Sequence, residues 1–306
     1  MANPCSSLVD GGAHNGPLFA CIEAGGTKVV AGVARDVDDV IATARFPTTS
    51  PVETIEATLA FFHDAARRHG AFDAAGIASF GPVDLDRSSA GWGRILSTPK
   101  PGWTGFDLAG SLGKALACPV EIDTDVNGAL LAESRWGIAA GADVAVYVTV
   151  GTGIGGGVLV DGRLVHGQRH PEMGHMLPRR NPLDDFVGIC PFHGDCLEGL
   201  ASGPAIQARW GASLSELADD HPSQAIVADY LAQLVIAQQA LLSPRCVILG
   251  GGVMATPRLL DRVRARVTAL GGGYFGGEAS TIVVPPALGD RAGLLGALAL
   301  AQRARQ

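Results

Sequence analysis

The stretch AVYVTVGTGIGGGVLVDGRLV, residues 145–165, decides the fold class of this chain. Apolar and β-branched residues predict a strand up to Val150, and the glycines at 151–157 predict a turn. A second strand follows, and Asp161-Gly162 is typical of a two-residue hairpin turn that leads into a third strand. A glycine turn followed by a hairpin, rather than by a helix, is therefore the central feature of the sequence.

The same order of elements occurs earlier in the chain. FACIEA at residues 19–24 predicts a strand, Gly25-Gly26 a turn, and two further strands follow at 28–34 and 40–46. A helix with Ser50 as its N-cap comes next and ends at Gly70. The repeat predicts an α/β protein with two lobes and a cleft between them. The other predicted elements are strands at 75–79, 120–122 and 245–249 and helices at 125–136, 204–210, 225–242, 258–270 and 292–305.

Composition narrows the class of protein. The chain has 306 residues, 47% of them apolar, and a net charge of −7 without any basic stripe, which argues against nucleic acid as a partner. No apolar run approaches the ~18 residues of a membrane helix, and residues 1–17 read as a disordered leader rather than a signal peptide. Six cysteines in a chain of this length do not indicate a disulfide scaffold, so we expect a cytoplasmic protein.

The two glycine turns predict a polyphosphate site, because bare backbone N–H groups allow phosphate to approach closely. Gly151, Gly153 and Gly156 match G-x-G-x-x-G, but a dinucleotide fold needs a helix after the turn, and the chain contains no P-loop motif. Ordinary glycine-rich hairpins are the alternative. A third cluster, at residues 250–252, is suited to a flat ring such as adenine. The predicted ATP-binding residues are Gly25, Gly26, Thr27, Lys28, Gly151, Thr152, Gly153, Gly250, Gly251 and Gly252.

Asp125 is the candidate general base. It lies between a predicted strand and a predicted helix, at the mouth of the expected cleft. A kinase that acts on an alcohol needs a carboxylate there to receive the hydroxyl proton. A plain helix N-cap is the alternative role for this residue.

Two histidines and two cysteines in the second half of the chain have the spacing of a metal site. His175, Cys190, His193 and Cys196 have the spacing H-x14-C-x2-H-x2-C, which suits a four-ligand structural zinc site. A Cys190–Cys196 disulfide and free thiols are the alternatives. A zinc ion would clamp Glu172 and Glu198, which together with His175 supply groups for hydrogen bonds to sugar hydroxyls.

With these motifs the chain resembles the ROK kinases (repressors, open reading frames and kinases), specifically their bacterial fructokinase branch. The resemblance covers nearly the whole chain after Leu18 and rests on four segments. They are EAGGTK at 23–28, TVGTGIGGG at 149–157, PEMGH at 171–175 and CPFHGDCLE at 190–198.

The resemblance implies an actin-like ATPase fold with two ribonuclease-H-like lobes, ATP with Mg²⁺, a hexose substrate and a homodimer. It implies Asp125 as base, and it implies that Gly81, Pro82 and Trp103 lie in segments bordering the sugar cleft. Glu23 replaces the usual Asp and is expected to meet Mg²⁺ through a water. Thr124 stands where many members have a sugar-contacting Asn, and His193 stands where many have a third cysteine.

These features predict phosphorylation of D-fructose to fructose 6-phosphate. The alternatives are a broader kinase that accepts mannose or glucose and a non-catalytic sugar-binding regulator. The regulator is disfavoured because about 17 residues before the first strand are too few for a DNA-binding module. We expect an N-terminal lobe at 18–118, joined by the C-terminal helix at 292–306, and a C-terminal lobe at 119–291.

Overall fold

The computed structural model describes residues 16–306, so most of the expected leader at 1–17 lies outside the described residues. The first half of the chain forms β1 (Phe19–Ala24), β2 (Lys28–Asp36), β3 (Asp39–Pro47), α1 (Pro51–His69), β4 (Ala74–Ser79), α2 (Leu108–Leu116), β5 (Val120–Thr124) and α3 (Asp125–Trp136). The second half forms β6 (Val144–Val150), β7 (Ile154–Val160), β8 (Arg163–Leu164), α4 (Leu197–Ala201), α5 (Gly203–Trp210), α6 (Pro222–Leu242), β9 (Cys246–Gly250), α7 (Leu259–Gly271), α8 (Ala279–Ile282), β10 (Val283–Val284) and α9 (Ala292–Ala304).

The strands form two five-stranded sheets of the same design. The first has the order β3-β2-β1-β4-β5, and the second has the order β10-β9-β6-β7-β8. In each sheet three consecutive strands pair antiparallel. A fourth strand pairs in parallel with the first of the three, and a fifth pairs in parallel with the fourth. The predicted internal repeat and the two-lobed α/β class are confirmed.

Two helices connect the sheets. α9 packs on β1, β4 and β5 of the first sheet, and α3 packs on β6 and β7 of the second. The two helices cross closely at Gly128 and Gly296. A Cβ atom at Gly296 would lie 2.3 Å from the backbone of Gly128, so this crossing requires glycine. This crossing holds the first residue of α3, Asp125, between the lobes.

The second glycine turn is shorter than predicted. Only residues 151–153 form the turn, and Gly155, Gly156 and Gly157 belong to β7, where they pair with β6. A Cβ atom at Gly157 would lie 2.4 Å from Oδ1 of Asn127 on α3. These glycines therefore allow α3 to pack closely on the sheet rather than allowing the chain to turn.

Two further features differ from the sequence predictions. β5 is hydrogen-bonded to β4, so the first sheet extends to Thr124, past the expected boundary at residue 118; the division into lobes at those bounds otherwise stays a prediction. α6 has a mean hydropathy of 1.5 over its most apolar window and is long enough to span a membrane. Since 56% of that window is buried against the second sheet and α7, it is a core helix.

Candidate active site

Asp125 lies at the centre of the cleft as the first residue of α3. The helix is capped by Thr124, whose Oγ1 accepts a hydrogen bond from the N–H of Asn127 at 3.1 Å. The alternative of Asp125 as the N-cap is therefore wrong, because Thr124 already occupies that position. The carboxyl of Asp125 accepts a hydrogen bond from the neighbouring N–H of Val126 at 2.8 Å.

The surroundings of Asp125 favour its protonated form. Burial raises the pKa of this carboxyl to about 7, and the nearby carboxylates of Glu23 and Glu172 act in the same direction. The N–H of Val126 opposes the rise. A carboxyl that titrates near neutrality in a cleft has the acidity expected of a general base.

The first glycine turn closes the hairpin between β1 and β2. The N–H of Gly25 donates to the carbonyl oxygen of Lys28 at 2.9 Å, which leaves Gly26, Thr27 and Lys28 exposed at the tip. A Cβ atom at Gly26 would meet nothing within 4 Å, so its bare backbone faces open space. The tip thus offers N–H groups, a hydroxyl and an ammonium group to an anion.

Glu23 lies beneath this turn and faces the start of α9. A Cβ atom at Gly293 would lie 2.2 Å from the carboxyl carbon of Glu23, so this glycine leaves room for the side chain. Burial raises the pKa of Glu23, while the charges of Lys28 and Arg45 lower it. A carboxylate at the positive N-terminus of a helix is electrostatically stabilised.

A cavity of about 480 Å³ joins these groups. Its walls come from β1, β2, β3, α3, β6 and the beginning of α9, so both lobes contribute. Glu23, Lys28, Asp125, Thr149 and Asp290 are among its lining residues. The cavity approaches Asp125 from the side of the first glycine turn, and Glu172, His175 and Glu198 are not part of its lining.

The second and third glycine clusters adjoin each other. A Cβ atom at Gly151 would lie 4.0 Å from the N atom of Gly252, and the carbonyl oxygen of Gly151 accepts a bond from Gly203 at the start of α5. Gly251 has φ 94°, and a Cβ atom there would lie 2.5 Å from the carbonyl oxygen of Val150. Two of the predicted nucleotide segments are thus brought together over the end of the second sheet.

Glu198 lies behind the second turn, at the start of α4. Its Oε2 accepts a hydrogen bond from the N–H of Ile154 at 2.9 Å. Glu172 lies in the loop after β8 and is half-exposed. Its negative charge contributes to the raised pKa of Asp125. Of the two acidic residues predicted to hold a sugar, Glu198 is therefore bonded to the residue after the second glycine turn, and Glu172 lies near the candidate base.

The four predicted metal ligands form one cluster. The Nδ1 atom of His175 lies 3.8 Å from Sγ of Cys190 and 3.5 Å from Sγ of Cys196, and Nδ1 of His193 lies 3.7 Å from Sγ of Cys190. All four ligand atoms lie within 4.8 Å of one another. Tetrahedral zinc with ordinary bond lengths holds sulfur and nitrogen about 3.6 Å apart, so the cluster fits such an ion.

The cysteines are free thiols in the part of the chain that the structure describes, so the Cys190–Cys196 disulfide alternative is wrong. Nδ1 of His175 faces the sulfur atoms. This leaves its other nitrogen, Nε2, available for a second partner.

Trp103, predicted to lie in a segment that borders the sugar cleft, is a buried residue of the first lobe. It is 1% exposed, its N–H donates to the carbonyl oxygen of Thr49 at 2.8 Å, and its ring packs against Phe80 at 5.2 Å. The residue has no free surface for a sugar and instead supports the strand end that leads to Gly81 and Pro82. Those two residues lie at the turn after β4, beside the ring of His170.

Several groups near the site were not singled out from the sequence. Asp123 is buried and binds Nε2 of His166 at 2.9 Å and Nδ2 of Asn127 at 2.7 Å. The bond to Asp123 raises the pKa of His166. Asp123 and Asn127 lie in the segment that contains the candidate base, but nothing in the local sequence joins His166 to them. The cavity is also lined by four residues that only the tertiary fold brings to it: Arg45, Tyr147, Asp290 and Arg291.

Comparisons with known proteins agree on one family. The model described as "ROK family" matches residues 19–304. A fructokinase of Zymomonas mobilis is 48% identical over 289 residues, which is 93% of this chain and 96% of that protein. A ROK hexokinase from Thermus thermophilus has a TM-score of 0.77 at 28% identity and covers 94% of this chain and 98% of its own. A ROK family glucokinase from Streptomyces griseus, solved in complex with glucose and AMPPNP, has a TM-score of 0.73 at 26% identity, with coverage of 94% and 99%.

Proposed function

Since the chain belongs to the ROK family and has its actin-like ATPase fold, we propose that it is an ATP-dependent fructokinase. It would transfer the γ-phosphoryl group of ATP to the primary hydroxyl of D-fructose and release fructose 6-phosphate and ADP. The choice of fructose is supported by the 48% identity to a fructokinase over nearly the full chain. The chemistry is supported by the position of Asp125 in the cleft between the lobes.

In this proposal Asp125 receives the proton of the attacking hydroxyl. The oxygen at carbon 6 forms a bond to the γ-phosphorus while the bond from that phosphorus to the bridging β,γ-oxygen breaks. A pKa near 7 allows Asp125 to be ionised before the reaction and protonated after it. After ADP and the sugar phosphate leave, Asp125 loses the proton to solvent and is again ionised for the next turnover.

The two glycine turns would hold the triphosphate. The backbone N–H groups of Gly26, Thr152 and Gly153 would face the phosphates, together with the side chains of Thr27, Lys28 and Thr152. The N–H of Gly151 instead donates to the carbonyl oxygen of Gly153 at 2.9 Å and so holds the turn in shape. Residues 250–252 would lie against the adenine ring. Mg²⁺ bound with ATP would neutralise charge on the β- and γ-phosphates, and we assign Glu23 to meet it through a water.

The sugar would be held by Glu172, Glu198 and Nε2 of His175. A zinc ion on His175, Cys190, His193 and Cys196 has a structural role in this proposal, because four protein ligands leave no open coordination position. The ion would fix His175 and the segment leading to Glu198 in one arrangement. A cytoplasmic homodimer with separate N-terminal and C-terminal lobes completes the proposal.

A broader hexose kinase is the second candidate, because the structural relatives include a hexokinase and a glucokinase. A coupled ADP-release assay over fructose, mannose, glucose and N-acetylmannosamine, with MgATP, separates the two. We expect kcat/KM to be highest for fructose. Comparable values for glucose or mannose would favour the broader enzyme, and no turnover with any of the four would contradict a kinase.

A further inference from the structure

His170 is a buried histidine that none of the roles above uses. It lies in the loop after β8, two residues before Glu172, and is 8% exposed. The segment from His166 to Glu172 passes under the ends of β4 and β5, so it joins the loop of the second sheet to the first. A buried imidazole in this position has specific partners on both sides.

On one side His170 contacts the turn after β4. The N–H of Val83 donates to Nε2 of His170 at 3.4 Å, and a Cβ atom built on Gly81 would lie 3.4 Å from Cε1 of the ring. Gly81 is one of the residues expected to border the sugar. The ring therefore supports this turn from below.

On the other side His170 faces Glu172. Its Nδ1 lies 3.5 Å from Oε1 of the carboxylate. Since Nε2 accepts a bond from Val83, the ring proton of the neutral imidazole is on Nδ1. The protonated Nδ1 is therefore the ring atom 3.5 Å from the carboxylate, close enough to donate to it after a small rotation of the Glu172 side chain.

We propose that His170 is a positioning residue, which joins the Gly81–Val83 turn to Glu172 and orients that carboxylate toward the hexose. This inference rests on the proposed function, because it assigns Glu172 to the sugar. The side chain of Glu172 is 45% exposed, so without a partner it would sample several rotamers. Fixing it before the sugar arrives removes an ordering cost from binding. The link also makes the sugar site depend on contact between the two lobes.

Two substitutions separate the two contacts of the ring. In His170→Gln the amide can place its oxygen near the position of Nε2, which retains an acceptor for Val83 but removes the donor to Glu172. In His170→Asn the amide can place its NH₂ near the position of Nδ1, which retains the donor to Glu172 but removes the acceptor. His63→Gln, on the exposed face of α1, is the matched control.

We expect His170→Gln to raise the KM for fructose about tenfold, with the KM for ATP and the melting temperature close to wild type. His170→Asn should raise it less. In a Glu172→Gln background, His170→Gln should change the fructose KM less than about twofold, because the partner it orients is already altered.

Three results would overturn the inference. One is an unchanged fructose KM in His170→Gln, and another is the same fold-increase with and without Glu172→Gln. The third is a loss of stability in both variants that accounts for all of the lost activity. If His170→Gln does not fold, His170→Asn carries the test: it must raise the fructose KM by less than about tenfold, and a larger rise would overturn the inference. Absence of hexose turnover in the wild type refutes the proposed function instead, so the two failures are distinct.

Discussion

Oε2 of Glu198 accepts a hydrogen bond from the backbone N–H of Ile154 at 2.9 Å, immediately after the second glycine turn. The bond joins the first turn of α4, which carries a candidate sugar ligand, to the turn that is expected to hold phosphate. Any change that moves one of these segments should therefore affect the other.

Gly153→Ala tests this link. The added Cβ would lie 2.7 Å from Oε2 of Glu198, so the carboxylate must move. We expect the KM for fructose to rise about tenfold to a hundredfold, as for other displaced binding groups. Gly276→Ala, where a Cβ meets nothing within 4 Å, is the control. Steady-state kinetics with an unchanged fructose KM in Gly153→Ala would show that Glu198 does not bind the sugar.

Asp125→Asn should abolish most of the turnover. The amide keeps the shape and the bond from Val126 but cannot accept the hydroxyl proton, so kcat should fall about 10²–10⁴-fold. Fructose should still raise the melting temperature of the variant, since binding does not need the base. A kcat within about threefold of the wild type would exclude Asp125 as the base.

The activity should fall in acid with the titration of Asp125. Its pKa is raised to about 7, and only the ionised form can take a proton. We expect kcat/KM for fructose to decrease about tenfold per pH unit below that value, measured at constant ionic strength. A profile that stays flat down to about pH 5.5 would contradict this titration. The residual activity of Asp125→Asn should lack the acidic limb.

The same titration predicts the stability of Asp125→Asn. A carboxyl whose folded-state pKa is raised to about 7 contributes stability below its unfolded pKa of about 4, and this is lost as the pH rises through 7. Asp125→Asn should therefore unfold at a higher urea concentration than the ligand-free wild type at about pH 8. The difference should disappear at about pH 4. A variant that is less stable at pH 8 would show that ionised Asp125 is not penalised by burial.

Zinc should be stoichiometric and structural. We expect about one zinc ion per purified chain, and much less in Cys196→Ser, with a melting temperature at least about 5 °C lower. Cys118→Ser, a free thiol away from the cluster, is the control. Elemental analysis that finds full zinc in Cys196→Ser, or well under one ion per wild-type chain, would rule out the assigned ligand set.

Local patterns were sufficient for elements whose signals lie within a few residues. α1 begins and ends where predicted, because Ser50 accepts a bond from the N–H of Glu53 at 3.4 Å and Gly70 closes the last turn. α3 also runs from Asp125 to Trp136 as predicted. The start of β7 was misplaced, because Gly155 to Gly157 have the composition of a turn. Because these glycines have no side chains, α3 and Met173 can pack directly on the strand, and both come from other parts of the chain.

The sequence by itself determined the two-lobed repeat, the glycine turns and the spacing of His175, Cys190, His193 and Cys196, because each depends on residues close together in the chain. The tertiary structure alone decided which groups share the cleft. Burial between the lobes raises the pKa of Asp125, and packing buries Trp103 in the first lobe. The contact from Val83 to His170 spans 87 residues. Such contacts depend on how the two sheets and α3 pack, and no local pattern of residues encodes that arrangement.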